Sequence, residues 1–99
     1  MEEVYTTIID HPNYEVSNYG NVRNVSSNKP LKIITMKNGA KKINLYISPK
    51  NYYQATIAKL VYQHFGENYN PNKSVKHRDK DQNNCRIDNL FQVEKTKFF

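Results

Sequence analysis

The chain has 99 residues, of which 37% are apolar, a length that suits one folding unit with a single small core. Fifteen Lys and Arg residues outnumber nine Asp and Glu residues, so the net charge is +6, and the excess is the same in both halves of the chain. No apolar run is long enough to cross a bilayer, and the first ten residues are acidic and mixed, which argues against a membrane anchor and a signal peptide.

The charge and the cysteine content indicate a class of partner and a compartment. A basic domain favours a polyanionic partner, most commonly nucleic acid; an ordinary lysine-rich soluble surface is the alternative. Cys85 is the single cysteine and has no internal disulfide partner, so a reducing cytoplasm is expected. The many Asn, Lys, Ile and Tyr residues are compatible with an AT-rich genome, such as that of a phage or virus, for which the compartment is the host cytosol.

The first half of the chain has the alternating pattern of antiparallel hairpins. Asn18, Tyr19 and Gly20 form a predicted tight turn between two short strands. Asn38-Gly39 is the strongest short hairpin signal, because both positions of a two-residue hairpin turn need positive φ. The predicted strands in this part of the chain are residues 14–17, 21–25, 31–37, 41–47 and 52–56.

The hydrophobic period changes at Ile57. Ile57, Leu60 and Val61 recur at helical spacing, and Gly66 stands where a C-terminal cap belongs, so a short helix with one buried stripe is predicted. His64 lies beside that stripe, where a core or boundary histidine is expected and not a metal ligand. The remaining predicted elements are a strand from residue 75, a long polar connection over 78–88 and a return strand over 89–93. The predicted class is α+β, with antiparallel hairpins around one central helix.

The last hairpin carries the motif with chemical content. Residues 75–93 read VKHRDKDQNNCRIDNLFQV, which is similar to the core of HNH nucleases of the homing-endonuclease type, V-x-H-x-D-G-x-x-x-N-N-x-x-x-N-L-x-x-V. The sequence departs from this pattern at Lys80, where the family has Gly. Residues 14–18 with Gly20, Val22 and Arg23 resemble the nuclease-associated modular domain, and residues 57–61 with Phe65 resemble the family's linking helix.

The resemblance spans roughly residues 4–93 and implies a domain organisation. It predicts one domain, with modular-domain hairpins over 1–50, a strand and linking helix over 51–66, and an HNH-like hairpin over 74–99. The HNH-like part is expected to be a C-terminally truncated ββα-metal motif.

The resemblance also implies roles for individual residues. His77 corresponds to the general base that takes a proton from the attacking water, and Asn89 to the residue that orients this imidazole or braces the turn behind it. Family members hold one divalent cation through the residue before this histidine and through an Asn or His on the final helix. Those positions fall on Lys76 and near Phe98, neither of which offers an oxygen ligand, so the metal site is expected to be degenerate.

The sequence offers two replacement metal sites. Asp79 is a possible displaced ligand, because in an extended strand it points to the same face as His77. A zinc site made of His64, His77 and Cys85 is less expected, since it lacks a fourth ligand and close Cys-x-x-Cys spacing. No cofactor is therefore assigned, and Mg²⁺ is expected if the protein is active.

The predicted function is binding of double-stranded DNA by a relative of HNH homing endonucleases whose cleavage is impaired or lost. Affinity for DNA depends mainly on neutralised phosphates, and that contribution needs no metal. The predicted DNA-binding residues are Arg23, Lys32, Lys37, Lys41, Lys42, Lys59, Lys76, Arg78, Lys80 and Arg86.

Two alternatives stay open at the level of the sequence. One is an active Mg²⁺-dependent HNH endonuclease or nickase with reassigned ligands and His77 as base. The other is a viral interaction or inhibitor protein that reuses the nuclease scaffold, with a host protein or a second copy of itself covering an apolar hairpin face.

Overall fold

The computed structural model describes residues 1–94 and consists of three small antiparallel sheets and one helix. The α+β class with antiparallel hairpins and a central helix is thereby confirmed. Helix α1 (Ile57–Phe65) follows β6, and a 3₁₀ turn (Ile87–Asn89) precedes β8. The strands are β1 (Tyr5–Ile8), β2 (His11–Ser17), β3 (Val22–Asn24), β4 (Ile34–Thr35), β5 (Lys41–Ser48), β6 (Asn51–Thr56), β7 (Ser74–His77) and β8 (Leu90–Val93). The sheets have the orders β1-β2-β3, β4-β5-β6 and β7-β8.

All three sheets and the helix contribute to one apolar cluster. The helix buries Ile57, Leu60 and Val61, the stripe that the period of the sequence predicts, together with Ala58. The rest of the cluster comes from the strands and from the loop between β7 and β8: Ile8, Tyr14, Val16, Val22, Ile43, Leu45, Ala55, Cys85 and Leu90. The N-terminal hairpins and the last hairpin therefore share a core.

The Asn38-Gly39 hairpin is confirmed, but its turn is one residue longer than predicted. The Gly39 N–H donates to the carbonyl of Met36, and the Met36 N–H donates to the carbonyl of Ala40. Gly39 has φ +89°, while Asn38 is not among the residues with positive φ. This is a three-residue loop in which only the glycine position needs the left-handed conformation.

Two strands differ from the predicted ones. Strand β1 was not predicted, because residues 5–8 lack a clear alternation; they pair with β2 through the long-range register Tyr5↔Ser17. Strand β4 covers only part of the predicted 31–37 strand. The Leu31 N–H donates to the carbonyl of Val22 in the first sheet, so this segment passes from one sheet to the next before it can pair with β5.

Helix α1 ends at the predicted glycine for a different reason from the expected one. Gly66 has φ −79°, and its N–H donates to the carbonyl of Tyr62. A Cβ atom at this position would lie 2.6 Å from that carbonyl oxygen. The close approach of the chain to the last helical turn, and not a left-handed conformation, therefore favours glycine here.

The turns of the two N-terminal hairpins dock on the loop that joins β7 and β8. The Ile87 N–H donates to the carbonyl of Asn18 at 2.8 Å, and the Gln82 side-chain amide donates to the carbonyl of Asn38 at 2.9 Å. Gly20 packs against Cys85, where an added Cβ would lie 2.8 Å from the cysteine Cβ. These contacts fix the position of the HNH-like loop relative to the hairpins.

We expect Gly20→Ala to destabilise the protein strongly. The substitution forces a Cβ into φ +92° and into the buried side chain and backbone of Cys85, at a cost of about 2–4 kcal/mol in the free energy of unfolding. Urea denaturation followed by circular dichroism measures the loss.

Gly39→Ala is the matched control. It has a similar φ of +89°, but its added Cβ meets only the end of the flexible Gln82 side chain, so we expect a loss of about 1–2 kcal/mol. Equal losses for the two variants would contradict the docking of Gly20 on Cys85.

Candidate functional site: a lysine-lined groove beside His77

His77 is the last residue of β7 and pairs with Leu90 of β8. The strand ends there because the Lys80 N–H donates back to the carbonyl of His77 at 3.2 Å and closes a turn. Lys80 has φ +64°, a conformation that costs a residue with a Cβ about 1–2 kcal/mol. This explains physically why the family pattern has glycine at the position of Lys80.

The loop after His77 is held by a carboxylate and two amides. The Asn89 side-chain amide donates to Asp79 Oδ1 at 2.9 Å and to the carbonyl of Asn84 at 2.8 Å, and its oxygen accepts the Asp79 N–H at 3.2 Å. Asp79 Oδ1 also accepts the Asp81 N–H, and Asp79 Oδ2 accepts the Asn84 amide. Both donor hydrogens of Asn89 are thus directed into the loop. Of the two predicted roles for Asn89, this geometry favours bracing the turn over contacting the imidazole.

The His77 ring contacts Cys85 with its Nε2 atom at 3.7 Å. The single thiol hydrogen of Cys85 is directed to the carbonyl of Gln82 at 3.4 Å. Burial raises the pKa of this thiol to about 11, so it stays protonated at neutral pH. With its own hydrogen on Gln82, the sulfur can accept the Nε2–H of His77, and in that tautomer the ring lone pair is on Nδ1.

An open groove of about 520 Å³ lies beside His77. Four lysines line it, and no Asp or Glu is among the lining residues in the described part of the chain. These lysines come from α1, from the segment before β7, from β7 and from the following loop. The titratable lining residues are Lys59, Lys73, Lys76, His77 and Lys80.

Three of the predicted DNA-binding lysines therefore meet in one place: Lys59, Lys76 and Lys80. All three are exposed. Lys73 also lines the groove and was missed by the sequence analysis, although its position three residues before Lys76 is a signal that could have found it. Lys73 is the groove lysine with an ion-pair partner, Glu94 at 3.3 Å.

The other predicted lysines lie along the β4–β5 hairpin, outside the groove lining. Lys32 and Lys37 are exposed, while Lys41 and Lys42 are half-buried at the start of β5. Lys41 donates to the Thr35 hydroxyl across the hairpin at 2.9 Å.

The predicted arginines make contacts within the chain. Two form ion pairs through Nε, Arg23 with Glu15 at 2.8 Å and Arg86 with Asp88 at 3.6 Å. Each guanidinium also lies over an aromatic ring: Arg23 over Tyr5 at 3.6 Å, Arg78 over Phe91 at 5.2 Å and Arg86 over Tyr19 at 4.5 Å. Arg23 and Arg86 are therefore less available to a phosphate than the groove lysines.

The described residues do not fit a divalent metal site. Hard cations such as Mg²⁺ take oxygen ligands, yet Lys76 presents an ammonium before His77. Asp79 lies beyond the end of β7, so strand alternation does not direct it to the His77 face, and both its oxygens accept hydrogen bonds in the loop. Within residues 1–94, no group of three or more His, Cys, Asp and Glu side chains lies close enough to hold an ion. Phe98 lies outside the described residues.

His64 is part of the structural frame and is not directed to the groove. Its Nε2 accepts the Ile9 N–H at 3.0 Å, and its Nδ1 donates to the carbonyl of Leu60 at 2.9 Å. With both nitrogens bonded to backbone, the ring ties the end of β1 to α1. This arrangement agrees with the predicted boundary histidine and not with the zinc site considered with His77 and Cys85.

Two family models match this chain along most of its length. A family model described as HNH endonuclease matches residues 59–97, and one described as NUMOD4 motif matches residues 3–58. A solved structure concerning DNA binding and cleavage by the HNH homing endonuclease I-HmuI is 32% identical, with a TM-score of 0.83. The match covers 95% of this chain and 53% of that one, so the chain spans about half the length of this solved relative. No curated protein matches the sequence significantly. No helix in residues 1–94 is long and apolar enough to cross a membrane.

We expect Asp79→Asn to reduce the dependence of the free energy of unfolding on pH in the acid range. Hydrogen bonds from the Asp81 N–H and from the Asn89 and Asn84 amides lower the pKa of the Asp79 carboxyl in the folded protein. Its contribution is therefore complete above the ordinary carboxyl pKa of about 4 and is lost as pH falls through the lowered value. The variant should be less stable at neutral pH and approach the wild type in acid.

The measurement is urea unfolding at a series of pH values from neutral to about pH 2. Asp10→Asn, which changes an exposed turn residue outside the loop, serves as the control and should follow the wild-type curve. An Asp79→Asn curve parallel to the wild type over the whole range would argue against the loop network.

Proposed function

Because this chain belongs to the HNH homing-endonuclease family, we propose that it binds double-stranded DNA through the lysine-lined groove, with metal-dependent cleavage lost or strongly reduced. The observation that carries the proposal is the lining of the groove: Lys59, Lys76 and Lys80 converge beside His77 without a described carboxylate. The solved relative I-HmuI is an HNH homing endonuclease studied for DNA binding and cleavage. We extend DNA binding from I-HmuI to this chain, but not DNA cleavage.

Binding is supported by the kind of charge that the groove presents. Exposed ammonium groups neutralise backbone phosphates and release counterions, which supplies sequence-independent affinity for DNA. Lys59 and Lys80 flank Lys76 from the helix side and the loop side, so a phosphate in the groove meets cations from separate elements. The net charge of +6 acts in the same direction by steering a polyanion towards the protein.

Impaired cleavage is expected because no described carboxylate lines the groove. In metal-assisted hydrolysis the ion offsets charge on the scissile phosphate and lowers the pKa of the attacking water. Lys76 adds a positive charge where a ligand is needed and has no lone pair to give while protonated. Asp79 is engaged by Asn84, Asn89 and the Asp81 N–H, and withdrawing it would open the loop that follows His77.

The chain organisation is part of the same proposal. We place the modular-domain hairpins in residues 1–50, the strand and linking helix in 51–66 and the HNH-like hairpin in 74–99. The Ile87–Asn18 and Gln82–Asn38 contacts support a unit in which the hairpins and the groove meet DNA together. Lysines of the β4–β5 hairpin would then extend the contact along the duplex.

We expect Lys76→Ala to weaken duplex binding at every sequence tested. Loss of one phosphate contact should reduce the salt slope of log K by about 0.9. Fluorescence anisotropy with a labelled duplex, repeated over a range of salt concentrations, measures both quantities. Lys50→Ala removes an exposed lysine at the β5–β6 turn, outside the groove lining, and is the matched control. The groove is not the binding surface if the two variants behave alike.

A second measurement concerns cleavage. Supercoiled plasmid is incubated with the protein in Mg²⁺ or Mn²⁺, beside the His77→Ala variant prepared in parallel. Because the described residues lack the oxygen ligands that either ion prefers, we expect no more nicking from the wild type than from the variant. Nicking that needs both the ion and His77 would instead establish an active endonuclease with ligands from elsewhere.

A further inference from the structure

We propose that the groove beside His77 cleaves RNA without a metal ion, through attack of a ribose 2′-hydroxyl on the adjacent phosphodiester. This activity goes beyond the DNA binding proposed above and rests on its own observations. They are a histidine in contact with a buried thiol, three exposed ammonium groups in the same groove, and the misfit of the described residues to a metal.

The base is His77. Its Nε2 lies 3.7 Å from the Cys85 sulfur, and the thiol can direct its own hydrogen to the carbonyl of Gln82 at 3.4 Å, so the proposal takes the tautomer in which Nε2–H donates to the sulfur. The raised pKa of the Cys85 thiol, about 11, keeps the sulfur in this neutral accepting state. In this tautomer Nδ1 is the basic atom of a half-buried ring that lines the groove, and a general base needs such a lone pair within reach of the proton it takes.

The electrostatic partners are Lys59, Lys76 and Lys80. None of them is in an ion pair with a residue in the described part of the chain. They reach the groove from α1, from β7 and from the loop after it, so their charges surround a bound phosphate from different directions. Ammonium groups so placed stabilise the extra negative charge on the non-bridging oxygens of a pentacoordinate phosphorus.

The histidine and the ammonium groups favour RNA over DNA as the substrate. Hydrolysis of DNA needs an external water that is activated and positioned, and a metal ion ordinarily does both. An RNA strand carries its own nucleophile, the 2′-hydroxyl, beside the phosphorus, and such intramolecular reactions have very large effective molarities. A histidine base and ammonium groups therefore supply the groups that cleavage of RNA needs. The same groups leave DNA without an activated nucleophile.

The step balances without any co-reactant. Nδ1 of His77 takes the proton of the 2′-hydroxyl while the 2′-oxygen bonds to phosphorus. The bond from phosphorus to the 5′-oxygen of the next nucleotide breaks, and the ammonium of Lys76 gives that oxygen a proton. The products are a 2′,3′-cyclic phosphate and a strand with a 5′-hydroxyl. Proton transfer from His77 to Lys76 through solvent returns both side chains to their starting states.

The experiment uses the full chain and three oligonucleotides of one sequence, in excess EDTA. One is all DNA, one is DNA with a single ribonucleotide, and one carries a 2′-O-methyl group on that ribonucleotide. We expect scission only of the second strand, directly 3′ to the ribose, with a terminal cyclic phosphate identified by mass spectrometry. The rate should exceed that of His77→Ala by about 10²-fold or more, as for removal of a general base.

Variants purified in parallel separate this activity from a contaminating ribonuclease and from misfolding. Lys76→Ala should lower the rate at saturating oligonucleotide by about 10²-fold, while Lys50→Ala, outside the groove, should keep it. Circular dichroism establishes that each variant is folded, and the 2′-O-methyl strand tests the chemistry on the wild type alone.

The proposal is overturned if the single-ribonucleotide strand is cut no faster by the wild type than by folded His77→Ala. Scission of the 2′-O-methyl strand, or scission that appears only with added Mg²⁺, would overturn it too. Duplex DNA affinity is measured on the same preparations. Intact binding without RNA scission rejects this inference alone, and absent DNA binding rejects the function proposed earlier.

Discussion

The site depends on one contact, the pairing of the Asn89 amide with the Asp79 carboxylate. This pairing, with the Asn84 amide on the second carboxylate oxygen, closes a long polar loop that has few apolar side chains of its own. It holds the loop where β7 ends at His77. Both oxygens of the carboxylate therefore accept hydrogen bonds from groups of the loop itself.

A second constraint is that the loop is held from outside as well as from within. Turns of both N-terminal hairpins reach it, through the Asn18 carbonyl, the Asn38 carbonyl and the surface of Gly20. The hairpins and the groove are therefore parts of one packed arrangement with a common core. A surface that contacts nucleic acid through the hairpins would carry the groove to a fixed place on the backbone.

Lys76 stands where the family resemblance implies a metal ligand, and it gives the groove an ammonium group at that position. A divalent ion and a group of ammonium side chains both attract a phosphodiester, since both are positive. They differ in what they do for water, because only the ion lowers its pKa. Ammonium groups can therefore attract a phosphodiester without activating a water to hydrolyse it. A substrate that carries its own nucleophile, as RNA does in the 2′-hydroxyl, does not need that water.

The sequence alone determined the local features of this protein. Alternation, helical spacing and glycine positions predicted the hairpins, the buried stripe of α1 and the glycine that ends it, because these patterns depend on near neighbours in the chain. The family resemblance predicted roles for His77 and Asn89, and these roles stay predictions. Tertiary structure decided the pairing of β1, the shortening of β4 and the meeting of Lys59 with Lys76 and Lys80, because each depends on residues far apart in sequence. It also decided the contact of His77 with Cys85 and the use of Asp79, since each depends on contacts that exist only once the loop has closed.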